Sequence, residues 1–320
     1  MPAKQKVDVR QIVTDLILAK LEESTIPWRK PFTATAGDGA HRNLMSKKAY
    51  RGINPFLLDC QGYAQPWWLT MNQCNKLGGQ VRKGEKSTIV VFNSPVERKC
   101  APDAPGARVG PKGPVQTIWL MRYYRVFNVE QCDGIEERVP QPDPDAVTDP
   151  QPVELTTHLT QWMEDEGVKF RPNFGDPAYA PKLDTLIMPR DSAFDSPEDY
   201  ALTLAHECIH ASGHEDRLAR DGVVKSTGFG SERYAKEELI AELGAAMVGA
   251  QFRIGSDARQ IDNRAAYIAS WQKAIADDKY LITSAASAAQ KAADFLAPLA
   301  AFDGEPEPEA ADAEAAYATR

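Results

Sequence analysis

The sequence contains no apolar run long enough to cross a membrane and no cysteine pattern typical of a disulfide framework. A membrane-spanning helix needs about 18 or more consecutive apolar residues, and the chain has no run of that length. Its five cysteines are scattered and never stand in a CxxC spacing, which argues against a cysteine zinc site. The N-terminal segment spaces its apolar residues as an amphipathic helix does. We therefore expect a cytoplasmic protein without a membrane partner.

Positive and negative charges are unevenly distributed along the 320 residues. Residues 1–135 contain 20 Lys and Arg against 11 Asp and Glu, a net charge of +9, whereas residues 136–320 contain 17 against 34, a net charge of −17. The first half of the chain is basic and the second half is acidic, and this difference indicates that the two halves have different partners. Five prolines in residues 136–153 predict a linker. We expect two domains, at 1–135 and 154–302, followed by a disordered acidic tail over 303–320.

The expected fold class is α+β. In the front half, β-rich stretches at 87–99 and 115–131 are separated by a loop rich in Pro and Gly. In the back half, residues 155–167 predict a helix, residues 184–190 a short strand, and residues 197–296 mostly helices. The back half is therefore expected to be mainly helical with a small sheet.

Histidine is scarce, with five in the chain, yet three of them fall within nine residues, at His206, His210 and His214. Residues 206–210 read HECIH, and on a helix the first and last of these share a face, so both imidazoles can reach one ion. Two imidazoles suit Zn²⁺, although Mn²⁺ or another divalent ion can use the same ligands. The pattern predicts a metallopeptidase site on a buried helix, with Glu207 as the general base.

The sequence leaves the third metal ligand open. Glu238 lies on a predicted helix with Glu242 one turn later, so Glu238 can bind the metal while Glu242 orients a ligating histidine. Asp216 fits instead a metzincin-like spacing, HxxxHxxGxxD, in which Gly213 turns the chain back toward the ion. Glu238 is favoured because no Met-turn follows and its helix is rich in small apolar residues that suit close packing. Glu237 is a further alternative.

Three more features could complete this site. Tyr234 precedes Glu238 by one helical turn, and its hydroxyl could donate to a tetrahedral oxyanion or simply pack in the core. His214 could play the same part or cap a helix. The strand at 184–190 could be the edge on which a peptide substrate pairs, or an ordinary core strand. We place Tyr234 with the catalytic group and His214 with the residues that support the ligands.

Aromatic and cationic residues interleave between residues 27 and 92. This mixture is typical of proteins that bind single-stranded nucleic acid, in which cations contact phosphates and ring faces stack on bases. The predicted stacking platforms are Trp28, Tyr50, Trp67, Trp68, Tyr123 and Tyr124. The predicted phosphate contacts are Lys47, Lys48, Arg51, Arg82, Lys83 and Lys86. Because a single aromatic is more often core than platform, the prediction depends on the density of the whole patch.

These motifs together resemble one protein family. The segments IPWRKPF, YRGINPFLL, WLTMNQCNKLGGQVRKGEKSTIVVF, LAHECIHASGHEDRLAR and YAKEELIAELGAAMVG are similar to those of antirestriction proteins of the ArdC type. The resemblance covers residues 8–296 and implies a single-stranded DNA-binding domain followed by a zincin-like metallopeptidase domain.

The resemblance also implies functional residues and a biological role. It implies His206, His210 and Glu238 as metal ligands and Glu207 as the general base, and it gives residue 216 no metal role. It implies a protein that shields incoming plasmid DNA from host restriction during conjugation, with a protein or peptide as a possible substrate. The alternative is a pure single-stranded DNA-binding protein whose metal is structural or vestigial.

Overall fold

The computed structural model describes residues 8–23, 26–28, 40–111, 113–141, 149–225, 232–255 and 264–298. Its mixture of helices and small sheets confirms the α+β class. The front half contains helices α1 (Val9–Glu22), α2 (Asn54–Asp59) and α3 (Met71–Lys76), and strands β1 (Arg42–Asn43), β2 (Trp67–Leu69), β3 (Gln80–Val81), β4 (Thr88–Lys99), β5 (Arg108–Gly110), β6 (Gly113–Asn128) and β7 (Cys132–Asp133).

The back half is mainly helical, as expected. It contains helices α4 (Pro152–Asp165), α5 (Pro197–Ser212), α6 (Asp221–Val224), α7 (Glu232–Gln251), α8 (Arg264–Asp277) and α9 (Leu281–Leu296), and strands β8 (Lys169–Asn173), β9 (Ala178–Ala180) and β10 (Thr185–Pro189). Among the described residues, no helix has both the length and the apolar character that a membrane span requires. The predicted linker overlaps the start of α4, while residues 142–148 and the predicted tail at 303–320 lie outside the described ranges.

A long antiparallel hairpin of β4 and β6 organises the front sheet, whose order is β1-β2-β6-β4 with β5 added to β6. The hairpin pairs residues 88–99 with residues 115–126. Near its base both faces are covered, because Val90 packs in one apolar cluster and its neighbour Val91 in another. Farther out, residues 94–111 and 113–120 form a largely exposed projection, here called the β-arm.

The small back sheet has the strand order β8-β10-β9. β10 runs parallel to β8 and antiparallel to β9, so it occupies the centre of the sheet. The strand predicted at 184–190 is therefore confirmed as a core strand, and its alternative position at an edge is wrong. The edges are β8 and β9, of which β9 contacts α5.

Helices α5 and α7 approach closely because α7 presents glycines to α5. A Cβ added at Gly244 would lie 2.7 Å from Cδ1 of Ile209, and one added at Gly249 would lie 2.5 Å from Cδ2 of Leu202. A methyl group at either position would therefore have to displace the facing side chain. The close packing that the small residues of α7 predicted is confirmed, and it brings the carboxylates of α7 to the histidines of α5.

Helix α1 packs against the C-terminal helices α8 and α9 rather than against the front sheet alone. Its Thr14 hydroxyl donates to the backbone oxygen of Lys279 over 3.2 Å, and the Lys279 ammonium donates to Asp8 over 2.7 Å. The ring of Trp28 meets that of Trp271 edge-on at 5.4 Å between centroids. One apolar cluster consequently contains residues from both predicted domains.

Candidate metal centre

Helix α5 carries the first part of the site and has a well-defined start. The Ser196 hydroxyl accepts a hydrogen bond from the backbone N–H of Asp199 at 3.1 Å, and Pro197 occupies the first turn, where its missing N–H costs nothing. His206 and His210 lie one turn apart in the last half of this helix. Both are largely buried, with 4% and 13% of their side chains exposed.

The Nε2 atoms of His206 and His210 and the carboxylate of Glu238 form a compact triangle. The two Nε2 atoms are 3.2 Å apart, and they lie 3.6 and 3.5 Å from the Glu238 oxygens. A tetrahedral ion with bonds of about 2.0–2.1 Å separates its donors by about 3.3–3.4 Å. The three side chains therefore fit a divalent metal without rearrangement, and among the described residues they form the group that could hold one.

A second carboxylate lies behind each histidine. Nδ1 of His206 is 3.4 Å from Oε1 of Glu242, and Nδ1 of His210 is 3.4 Å from Oε1 of Glu237. An Nδ1–H that donates to a carboxylate leaves the Nε2 lone pair for the metal and fixes the plane of the ring. The part predicted for Glu242 matches this geometry, whereas Glu237, an alternative third ligand in the sequence, instead contacts the far side of His210.

Opposite charges are stabilised on neighbouring side chains of this site. Burial by itself would raise the pKa of Glu238, but hydrogen bonds from His206 and His210 outweigh it and hold that pKa well below its ordinary range. Burial likewise opposes the charged form of His210, yet Glu237 and Glu238 raise its pKa above the ordinary histidine value. Because metal ligation requires a neutral imidazole, metal binding here must release a proton.

Arg220 holds Glu237 in place. Its Nη2 donates to Oε1 of Glu237 at 2.6 Å, and its Nε lies 3.1 and 3.2 Å from the two carboxylate oxygens. It also donates to the Ser212 hydroxyl and to the backbone oxygen of Ile209, at the end of α5. Gly213 makes room for the guanidinium, because a Cβ there would lie 2.8 Å from Cζ of Arg220. This contact could not be predicted from the sequence, since Arg220 lies outside any periodic segment.

We predict that Arg220→Ala lowers the affinity for a divalent metal about 10- to 100-fold, the usual cost of removing a group that orients a ligand. Titration against a competing metal chelator measures this affinity. The matched control is Arg217→Ala. The Arg217 side chain is 3% exposed against 10% for Arg220; it pairs with Asp184 and donates to the backbone oxygen of Ala211 on α5, but its contacts include no carboxylate of the site. Equal losses in both folded variants would contradict a specific role for Arg220.

The structure locates the remaining predicted site residues. Glu207 is buried beside the triangle, and its charge helps raise the pKa of His210. Tyr234 lies half-buried on α7, one turn before Glu238. His214 follows α5 and contacts Asp216, with Nδ1 and Oδ2 3.5 Å apart, rather than the ligands. The Asp216 side chain is 84% exposed, so the metzincin-like alternative is wrong for this geometry.

The predicted stacking platforms in the front half are buried. Trp28, Tyr50, Trp67, Trp68, Tyr123 and Tyr124 are between 0% and 8% exposed. Because a base needs an open ring face, the prediction that these six rings stack on DNA is wrong. Away from the β-arm the front sheet is covered on both faces, so residues of either orientation enter a core. Trp67 and Trp68, adjacent on β2, belong to different apolar clusters.

The predicted phosphate contacts fall into three groups. Arg51 is buried and pairs with Asp294 of α9, which argues against its predicted role as a phosphate contact. Arg82 is exposed but contacts Glu85 and Asp133 at 3.0 and 3.3 Å. The others are exposed or half-buried: Lys47, Lys48, Lys83 and Lys86. Sequence reasoning missed Trp119, which is 64% exposed on the β-arm.

Comparison with known families assigns both halves of the chain. Residues 7–127 match the N-terminal domain of the anti-restriction factor ArdC, and residues 157–288 match a zincin-like metallopeptidase domain. The second match contains His206, His210 and Glu238.

Known structures and sequences match nearly the whole chain. Crystal structures of the antirestriction ArdC protein from plasmid R388, one metal-free and one Mn(II)-bound, each show 36% identity and a TM-score of 0.69, over 91% of this chain and 97% of theirs. The uncharacterized protein y4eC of Sinorhizobium fredii is 34% identical over 297 residues, which is 90% of this chain and 91% of y4eC. Two DNA primases named TraC from Escherichia coli are each 35% identical, and the chain spans only 20% and 27% of their lengths.

Proposed function

The chain belongs to the ArdC family of antirestriction proteins, and on that premise we propose that it binds single-stranded DNA and cleaves peptide bonds at a divalent metal site. The observation that carries the peptidase part is the triangle of His206, His210 and Glu238, whose donor separations fit a tetrahedral ion. The biological role proposed is the protection of incoming plasmid DNA from host restriction during conjugation, in the cytoplasm.

The metal class follows from the donors and from a relative. Two imidazoles and one carboxylate match the ligand set of catalytic zinc sites. A relative with 36% identity binds Mn(II), and the same donors accept either ion. We therefore propose Zn²⁺ or Mn²⁺ as the cofactor.

The residues around the triangle have distinct proposed roles. A divalent ion held there would supply a Lewis acid that polarises a peptide carbonyl and acidifies water. Glu207 accepts the proton of the attacking water and transfers it to the leaving amine. Tyr234 donates to the oxyanion that develops on the carbonyl oxygen. Glu242 and Glu237 keep the two imidazoles oriented.

Strand β9 offers a place for an extended peptide. It lies at an edge of the back sheet and contacts α5, the helix that carries both histidines. A peptide that pairs with such an edge is held by main-chain hydrogen bonds. We therefore propose that β9, rather than the central strand β10, aligns the substrate.

Chelation followed by metal reloading tests the peptidase. A mixed peptide library incubated with the full chain should be cleaved when Zn²⁺ or Mn²⁺ is bound, and cleavage should fall to background after chelation. Reloading with either ion should restore it. A chain that binds one equivalent of metal but cleaves nothing in any loaded form would contradict the peptidase and favour a DNA-binding protein with a structural metal.

A further inference from the structure

Trp119 differs from every other tryptophan of the chain. All six lie among the described residues, and Trp119 is 64% exposed while the other five are at most 8% exposed. Tryptophan is highly buried on average, and the exposed indole of Trp119 leaves a large ring accessible to a ligand. The side chain is therefore a candidate contact surface rather than a part of the core.

The strand register places Trp119 at the end of a groove. Trp119 pairs with Pro95 across the β-arm, and the next pair on the same face is Met121 with Asn93. Asn93 and Met121 line a groove of about 260 Å³, and Val91 continues the same wall. Trp119 thus lies next along the same strand and extends this wall of the groove outward along the β-arm.

The opposite wall of the groove comes from helix α9 and is polar. It presents Thr283, Ser287, Gln290 and Lys291. Lys291 is exposed, and Gln290 accepts a hydrogen bond from the backbone N–H of Gly52 at 3.0 Å. Hydroxyl, amide and ammonium groups suit the edges of bases and the phosphates between them better than they suit an apolar segment of protein.

The charge around Trp119 favours a polyanion. Residues 94–125 contain six Lys and Arg against two Asp and Glu. Of the two acids, Glu97 pairs with Arg108 at 2.7 Å, so its charge is compensated locally. Proteins hold single-stranded nucleic acid by combining exposed rings, on which unstacked bases lie, with a positively charged surface that contacts the phosphates. Duplex DNA offers no such base.

We propose that Trp119 stacks on a base of single-stranded DNA and that the strand continues into the groove between the β-arm and α9. This inference rests on the proposed DNA-binding function and assigns it a surface. It replaces the buried rings as the stacking platform and adds Lys291, from the metallopeptidase half, as a phosphate contact.

Tryptophan fluorescence of the full chain tests the proposal, because only one indole is open to a base. An oligo(dT) strand should quench the wild-type emission, and Trp119→Phe should abolish the quench while largely keeping affinity, since a phenyl ring still stacks. Trp119→Ala should weaken binding about 5- to 150-fold, the range for one stacked base. Lys291→Ala should weaken binding and reduce the steepness of its salt dependence by about one phosphate contact.

The matched control is Phe174→Ala, which removes another exposed ring, 96% exposed and in the back half; its affinity should equal that of the wild type. If the wild type binds oligo(dT) without salt dependence, or not at all, the proposed DNA-binding function fails. If binding is salt-dependent but Trp119→Ala matches Phe174→Ala and no quench occurs, DNA binding stands and this surface is wrong. Equal quenching by duplex DNA or by an acidic protein would also overturn the proposal.

Discussion

Glu207→Gln is expected to leave the metal bound and to lower peptide hydrolysis about 10²- to 10⁴-fold, the usual contribution of a general base. Glutamine matches the shape of glutamate, so the buried position on α5 accepts it. The amide cannot take a proton from water, however, so the loss falls on the chemical step. Metal content by elemental analysis and the hydrolysis rate at saturating metal measure the two effects separately.

The same variant connects the chemistry to the biology. If Glu207→Gln abolishes hydrolysis and also abolishes protection of transferred DNA, the peptidase carries the antirestriction function. If protection is unchanged, occlusion of the DNA suffices. A hydrolysis rate within tenfold of the wild type, with metal bound, would exclude Glu207 as the general base.

Glu238→Ala is expected to reduce divalent-metal affinity by more than about 100-fold, because losing groups that merely orient ligands already costs about 10- to 100-fold. Glu238 supplies the only carboxylate of the triangle, and its removal leaves the two imidazoles to hold the ion with a solvent ligand. A chelator competition assay measures the change.

Asp216→Ala is the control for that experiment. Asp216 fits a metzincin-like spacing in the sequence, yet most of its side chain faces solvent. Its removal should leave metal affinity unchanged. A loss with Asp216→Ala and none with Glu238→Ala would mean that the loop after α5 folds back onto the metal, and the ligand assignment would then have to change.

Local periodicity accounts for what the sequence could predict about this site. Helical spacing alone places His206 with His210, and Glu238 with Glu242, on shared faces. The small residues of α7 indicate that it packs closely against another helix. Those patterns are properties of single segments, and they needed no knowledge of the loops.

The parts that the sequence did not predict depend on contacts between segments. Arg220 reaches Glu237 from a loop, where no periodicity relates the two residues. The front-half aromatics are buried because the sheet that carries them is covered on both faces. The sequence of an aromatic-rich strand does not show whether one or both of its faces are covered. Trp119 was missed because its exposure depends on how far the hairpin projects beyond its core.

The packing of α1 on the C-terminal helices has a consequence for how such proteins can be shortened or recombined. The segment matched to the ArdC N-terminal domain includes α1, yet the apolar face of α1 is completed by helices near the other end of the chain. Cutting the chain at residue 135 would expose the apolar face of α1 in the first fragment. In the second fragment it would expose the surfaces of α8 and α9 that pack against α1. Consistent with this, the stretch shared with the TraC primases covers 91% and 92% of the chain, both halves together. Because the apolar face of α1 is complete only when both halves are present, a transferable unit has to contain the pair.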